Sequence, residues 1–310
     1  MTKTYRIFLL LMIVLLVLLS GCKAKQENQE KSEELTLLRV GMMSAVDAAP
    51  FYLAQQKGYF ADEGVSVELV LFTNGQHRQT ALQTNQVDGV MTDLVALITQ
   101  AGGDFPVKGT ISTDGLFPLL STKEIAEPQT LSAGTMEISV TNYLLEQYLD
   151  DTHTLEKVYI NEIPARLEAV ASGQLDIGIF PEPFASIGEL RGLNKWEFAE
   201  IPEESVNIIA FTESALQEKV EELHRFHRAY QRAVQDIQSD PDTARAILMD
   251  SFDQLPESVR DRMGLPQYQN ARLPSDQFLQ EIVQWTEHIT GQSHDFTREQ
   301  LLDDRFVQDL

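Results

Sequence analysis

The chain has 310 residues, 43% of them hydrophobic and 23% charged, with a formal net charge of −23. That composition is enough for well-filled hydrophobic cores, and the acidity argues against nucleic acid and anionic lipid head groups as partners, because a field of this sign repels both. A single cysteine, Cys22, excludes an internal disulfide framework and a thiolate-built metal site.

Lys3 and Arg6 precede an unbroken apolar run from Ile7 to Leu19, which leads into Ser20-Gly21-Cys22. Thirteen apolar residues reach about 20 Å at ~1.5 Å per residue, short of the ~30 Å hydrocarbon layer. A basic head, a short apolar core and small residues before a break predict a secretory signal peptide over residues 1–21. Leu19-Ser20-Gly21-Cys22 resembles the bacterial lipobox. The resemblance implies cleavage before Cys22, lipidation of its thiol and acylation of the new amino terminus. Two or three acyl chains hold a protein on a bilayer where one is marginal. Lys23 follows, where an Asp would resemble an inner-membrane retention signal. That favours a single-membrane host and the outer face of its cell membrane. Cleavage also removes two cations, taking the charge from −23 to −25. Residues 22–36 are rich in Lys, Gln, Glu and Ser and bury too little to offset chain entropy, so they read as a disordered tether.

Leu37 to Met42 reads as a buried strand, followed by a loop from Ser44 to Ala49. Pro50 suits the first turn of a helix that closes at Lys57-Gly58. Val65 to Phe72 alternates as a second strand. Gln76 to Asn85 reads as a short helix and Val87 to Met91 as a third strand. Asp93 caps a helix running through Gln100. Strand–helix–strand units of this length predict an α/β fold with a mainly parallel sheet flanked by helices.

The pattern recurs. Ala81-Leu82-Gln83-Thr84-Asn85-Gln86-Val87-Asp88 aligns with Ala169-Val170-Ala171-Ser172-Gly173-Gln174-Leu175-Asp176. In each, a helix ends on a residue that tolerates the left-handed conformation, and an Asp enters a strand. The second copy lies between a helix over Pro164 to Ser172 and a strand over Asp176 to Phe180. Two lobes built alike are the simplest reading. Val206 to Phe211 is another apolar strand. Beyond it, Leu216, Val220, Leu223, Phe226, Tyr230, Val234 and Ile237 make one helical face, and Phe278, Ile282, Trp285 and Ile289 another. Lobe one is expected at 37–112 plus 206–310 and lobe two at 113–205, so the chain crosses twice and a hinge follows.

These residues carry a family resemblance. Gly41, Pro50 to Ala54, Lys57-Gly58-Tyr59-Phe60, Glu63-Gly64-Val65, Gln86-Val87-Asp88-Gly89 and Thr92-Asp93 follow its first-lobe pattern. Gly173 to Asp176 and Pro181-Glu182-Pro183-Phe184 follow its second. The chain resembles the periplasmic binding proteins for alkanesulfonates, nitrate and thiamine-precursor pyrimidines, over roughly residues 37 to 250. The resemblance implies a two-lobed type II periplasmic-binding-protein fold, monomeric, that closes on a small molecule and delivers it to an ABC permease and its ATPase.

Ligands of open α/β sheets sit beyond the carboxyl ends of strands. That rule selects Ser44, Asp47, Asn74, Thr92 and Asp93 in lobe one, with Ser139, Phe180 and Glu182 in lobe two. Each short polar residue is also a natural helix cap. Phe51 and Phe180 suit either a flat ligand or the core. Asp47, Asp93, Asp114 and Glu182 outnumber the nearby cations Arg78 and Arg166, which favours an amine or a nitrogen heterocycle over a sulfonate. Helix N-termini leave an anion open. His224 and His227 lie one turn apart on a Glu- and Arg-rich helix and read as a solvated face, with no metal. No cofactor is implied and no nucleophile–base motif is present, so catalysis is not expected. The rivals are a ligand-sensing receptor domain for a membrane partner and, disfavoured by the missing cysteine-rich motif, a pyrimidine-synthesising relative.

Overall fold

The computed structural model describes residues 35–310 except 104, 126, 150, 199–203, 294 and 309. The signal segment, Cys22 and all but the last two residues of the expected tether lie outside the described residues. The chain enters a first sheet with β1 (Leu37–Met43), β2 (Ser66–Phe72), β3 (Gly89–Asp93) and β4 (Val107–Thr113). It crosses through 114–118 into a second sheet of β5 (Leu119–Ser121), β6 (Thr130–Thr135), β7 (Thr154–Tyr159), β8 (Ile177–Ile179) and β9 (Asn194–Trp196). It then returns to place β10 (Asn207–Thr212) in the first. The spatial orders are β2-β1-β3-β10-β4 and β7-β6-β8-β5-β9. In each sheet the strand entered straight after a crossing, β10 or β5, is antiparallel to both neighbours. The strands at the other end pair in parallel. Each lobe is therefore a mainly parallel, mixed sheet.

Helices cover both faces of both sheets. In chain order they are α1 (Ala49–Gln56), α2 (Tyr59–Asp62), α3 (Gly75–Gln83), α4 (Leu94–Ala101), α5 (Val140–Leu149), α6 (Ile163–Ala171), α7 (Phe184–Leu190), α8 (Glu213–Glu218), α9 (Val220–Ser239), α10 (Asp242–Ser251), α11 (Asp276–Thr290) and α12 (Arg298–Leu301). On one face of the first sheet, Phe226 of α9 stacks on Phe51 and Phe60, with ring centroids 5.5 Å apart in both pairs. Offset stacking of this kind adds to simple burial. On the other face, Leu94, Leu97 and Ile98 of α4 pack with Phe278 and Ile282 of α11. Among the described residues, no helix is long and apolar enough to cross a membrane.

The repeat seen in the sequence has a structural counterpart. Asn85 and Gly173 both take positive φ, 55° and 74°. Each following aspartate then ties its turn to the neighbouring strand. Asp88 Oδ2 accepts from the Arg39 amide at 2.8 Å, and Asp176 Oδ2 from the Ser132 amide at 2.9 Å. Each also pairs with a lysine, Lys219 at 2.7 Å and Lys123 at 2.8 Å.

The two sheets are joined by more than the crossings. Val140, Tyr143 and Leu144 of α5 share a core with Phe278 and Leu279 of α11. The stretch 262–272 also lies across the crossing at 114–118. There Asp114 accepts from Arg272 at 2.6 Å and from the Gln269 amide at 2.8 Å.

Candidate binding site

A cavity of about 400 Å³ opens between the sheets, beyond the carboxyl ends of β1, β2, β3, β6 and β8. Met43, Phe72, Met91, Phe117, Met136 and Phe184 make an apolar wall drawn from both lobes. Six of the expected site residues line it: Ser44, Asp47, Asn74, Thr92, Asp93 and Ser139. Most of their polar atoms are already engaged. Asn74 caps α3 by accepting from the His77 amide at 2.8 Å, and Asp93 caps α4 by accepting from Ala96 at 2.8 Å. Ser44 accepts from Gln254 at 3.0 Å, and Ser139 pairs with Thr141 at 2.7 Å. Thr92 accepts from Arg78 Nη2 at 3.0 Å. Asp47 differs. Its Oδ2 accepts from Thr113 at 2.8 Å and Asn207 at 2.9 Å, while the buried Oδ1 has no partner among the described residues.

The charges are four: Asp47, Asp93, Arg78 and Arg166. Burial raises both aspartates above their ordinary value, against the hydrogen bonds they accept. Burial lowers Arg78, and Asp93 and Asp47 partly restore it. Arg166 is fully buried, and burial pushes it down to about 10, with no ion-pair partner among the described residues. Its Nη1 donates to the Ile160 carbonyl at 2.6 Å, its guanidinium lies 5.3 Å from the Phe180 ring centroid, and its Nε has no partner among the described residues. An outer cavity of about 430 Å³ continues from the inner one past Arg78 and Ser139, lined by the amides of Gln76, Gln79, Gln83 and Gln100. A further cavity of about 380 Å³ lies at the crossings, but its buried ionic and phenolic groups are matched: Asp114 by Arg272, and Tyr143 by Glu281.

Residues 45–244 match the family model described as NMT1/THI5 like. The chain belongs to the NMT1/THI5-like family. No curated protein sequence is significantly similar to it. Solved structures share its fold at low identity. The ligand-binding component of an ABC-type import system from Staphylococcus aureus, with zinc bound, superposes with a TM-score of 0.74 at 13% identity, over 88% of this chain and 98% of that one. The alkanesulfonate-binding protein SsuA from Xanthomonas axonopodis pv. citri, bound to MOPS, gives 0.63 at 18%, over 82% and 91%. The nitrate-binding protein NrtA from Synechocystis PCC 6803 gives 0.63 at 13%, over 78% and 74%. The two-lobed periplasmic-binding-protein fold is thus common to all.

Two expected site residues of this NMT1/THI5-like chain lie elsewhere. Phe180 is fully buried against α6 and α7 with the Arg166 guanidinium against its ring, and it does not line the cavity. Glu182 is fully buried too, but Lys195 takes its Oε1 at 3.0 Å and Ser186 at 2.9 Å. Beyond β8 it is Pro181 and Phe184 that reach the cavity. Burial raises Glu182, while Lys195 and Ser186 hold it down. Phe51 is core, as its stacking shows. The solvated reading of the histidine pair also needs correcting. His227 is fully buried, with Nδ1 2.7 Å from the Leu223 carbonyl and Nε2 2.9 Å from Thr110 Oγ1. Among the described residues no three His, Cys, Asp or Glu side chains converge as a metal site. Arg166 and Asn207 were left out of the expected set. Asn207 had a visible signal, an amide set inside the otherwise apolar run Val206 to Phe211.

Proposed function

We propose that this protein is the solute-binding component of an ABC import system. It is tethered through lipidated Cys22 to the outer face of the cell membrane. It captures a small molecule between its lobes, hands it unchanged to a permease and ATPase, and works as a monomer. The observation that carries the reading is the cavity itself. It draws its wall from both sheets, sits beyond their strand ends and keeps buried polar atoms without partners among the described residues. Such atoms are costly to bury unless something meets them. Ligand sites of this size are typically apolar with a few placed polar groups. The family membership and the fold shared with import-system binding proteins point the same way.

The test is mass spectrometry of small molecules released on denaturing protein purified natively, followed by rebinding of the compound found. One compound in near-stoichiometric amount, rebound unchanged and lost in Thr92→Ala by about tenfold in affinity, supports the reading. A compound chemically converted on rebinding counts against it. The anchor is tested separately: Cys22→Ser should abolish lipid labelling.

A further inference from the structure

The four cavity charges are not evenly shared. Lobe one contributes Asp47, Asp93 and Arg78, a formal excess of one negative charge, and Arg78 lies in the field of both aspartates. Lobe two contributes Arg166 alone, which makes no ion pair among the described residues. Among the described residues, the cavity lining keeps three buried polar atoms unpartnered: in lobe one the acceptor Asp47 Oδ1 and the donor Arg78 Nε, the latter on a guanidinium already facing two aspartates, and in lobe two the donor Arg166 Nε. We propose that the ligand is an organic anion that also carries an N–H donor, its acid group read by Arg166 of lobe two and its N–H by Asp47 of lobe one, with an apolar body between. This rests on the solute-binding reading and deepens it.

The chemistry follows from what each group lacks. A guanidinium buried without a counter-ion is strongly disfavoured, and a carboxylate, sulfonate or phosphate group restores the missing partner with charge-assisted bonds. Asp47 is held in one orientation, because Thr113 and Asn207 both donate to the same oxygen. The remaining oxygen is an acceptor, so it selects a donor. Between them, the Met and Phe wall offers only dispersion and burial. Because the two ends of one molecule satisfy different lobes, the ligand would favour the closed state by differential contact.

The probes are three matched aromatics titrated calorimetrically into the full chain in detergent, after dialysis to remove retained small molecules: 3-aminobenzoate, benzoate and aniline. Wild-type protein is expected to bind 3-aminobenzoate about tenfold or more tighter than either single-function probe. Arg166→Met should erase the preference over aniline, and Arg166→Lys should keep part of it. Asp47→Asn should erase the preference over benzoate. Thr113 and Asn207 will hold the amide oxygen, turning its NH2 towards the free position and replacing an acceptor by a donor. Arg166→Met should also raise the melting temperature of the ligand-free protein, since it removes a buried charge without a partner, and this shows that the variant folds. Equal affinity for 3-aminobenzoate and either single-function probe overturns the inference. So does absence of 3-aminobenzoate binding at millimolar concentration, or an anion preference that survives Arg166→Met. The solute-binding reading fails differently, by the release of no compound from natively purified protein. A released compound lacking either the acid or the N–H leaves that reading standing and removes this one.

Discussion

His227 shows how far a residue's chemistry departs from its sequence context. On α9 it follows His224 by one turn, among charged residues that suggest water. The turn at Asp304–Phe306 instead brings Phe306 to within 5.3 Å of the His227 ring and 4.8 Å of the His224 ring. Burial pushes His227 down to about 4 from its ordinary 6.5. The unfolded chain therefore takes a proton near pH 6.5 that the native protein refuses until about pH 4, so stability falls as pH drops through that window. The expected loss is about 2 kcal/mol by pH 5. Denaturant midpoints at pH 7 and pH 5 check it. His227→Gln should lose less than wild type over that interval, and equal losses would contradict it. Raised carboxyls such as Asp47 act in the opposite sense but cancel between the two proteins. Among cavity residues, Asp47, Asn74, Thr92 and Asp93 were legible because each lies at or just beyond the carboxyl end of a strand. Arg166 was not selected, because chain position says nothing about which cation has a carboxylate nearby.

Glu182 belongs to a small buried assembly of elements. It lies between β8 and α7. Lys195 of β9 and Ser186 of α7 close on its carboxylate, and the Gly264 amide donates to it at 3.3 Å from the stretch that crosses the sheets. Lys195 donates to the Arg262 carbonyl at 3.3 Å, and the Ser186 hydroxyl lies 2.8 Å from the same oxygen. The cluster therefore pins 262–264 to lobe two. Lys195→Met should leave Glu182 buried without its cation, a loss of about 3–5 kcal/mol. Lys195→Met with Glu182→Gln should recover much of it, and thermal melts of the two variants read the difference. A single variant as stable as wild type would contradict this role. The strand-end rule selected Glu182 because its place in the chain matches that of a ligand residue. Its partner lies thirteen residues on, at the far edge of the sheet, and side-chain direction after a strand end is set by such partners. The repeat was legible for the converse reason. Asn85 and Gly173 meet a local backbone need, and Asp88 and Asp176 meet a local hydrogen-bonding one.

At the scale of the molecule, two sheets of the same strand order face each other across the cavity that holds Asp47 and Arg166, and both crossings lie at the β4 and β9 ends of the sheets. The α/β character and the doubling followed from periodicity and the repeat. The packing of α5 against α11 did not, because the polar groups that join them, Tyr143 with Glu281 and Trp285 with Glu146, are far apart in the chain and unremarkable in isolation. The central claim is that one small molecule sits between the lobes, meeting Asp47 on one side and Arg166 on the other. A crystal structure of natively purified protein carrying its retained compound tests it most directly. Difference density is expected within hydrogen-bonding distance of Asp47 Oδ1 and of the Arg166 guanidinium. Retained compound bound instead in the cavity at the crossings, beside Asp114 and Tyr143, with the space between Asp47 and Arg166 holding only water, would contradict it.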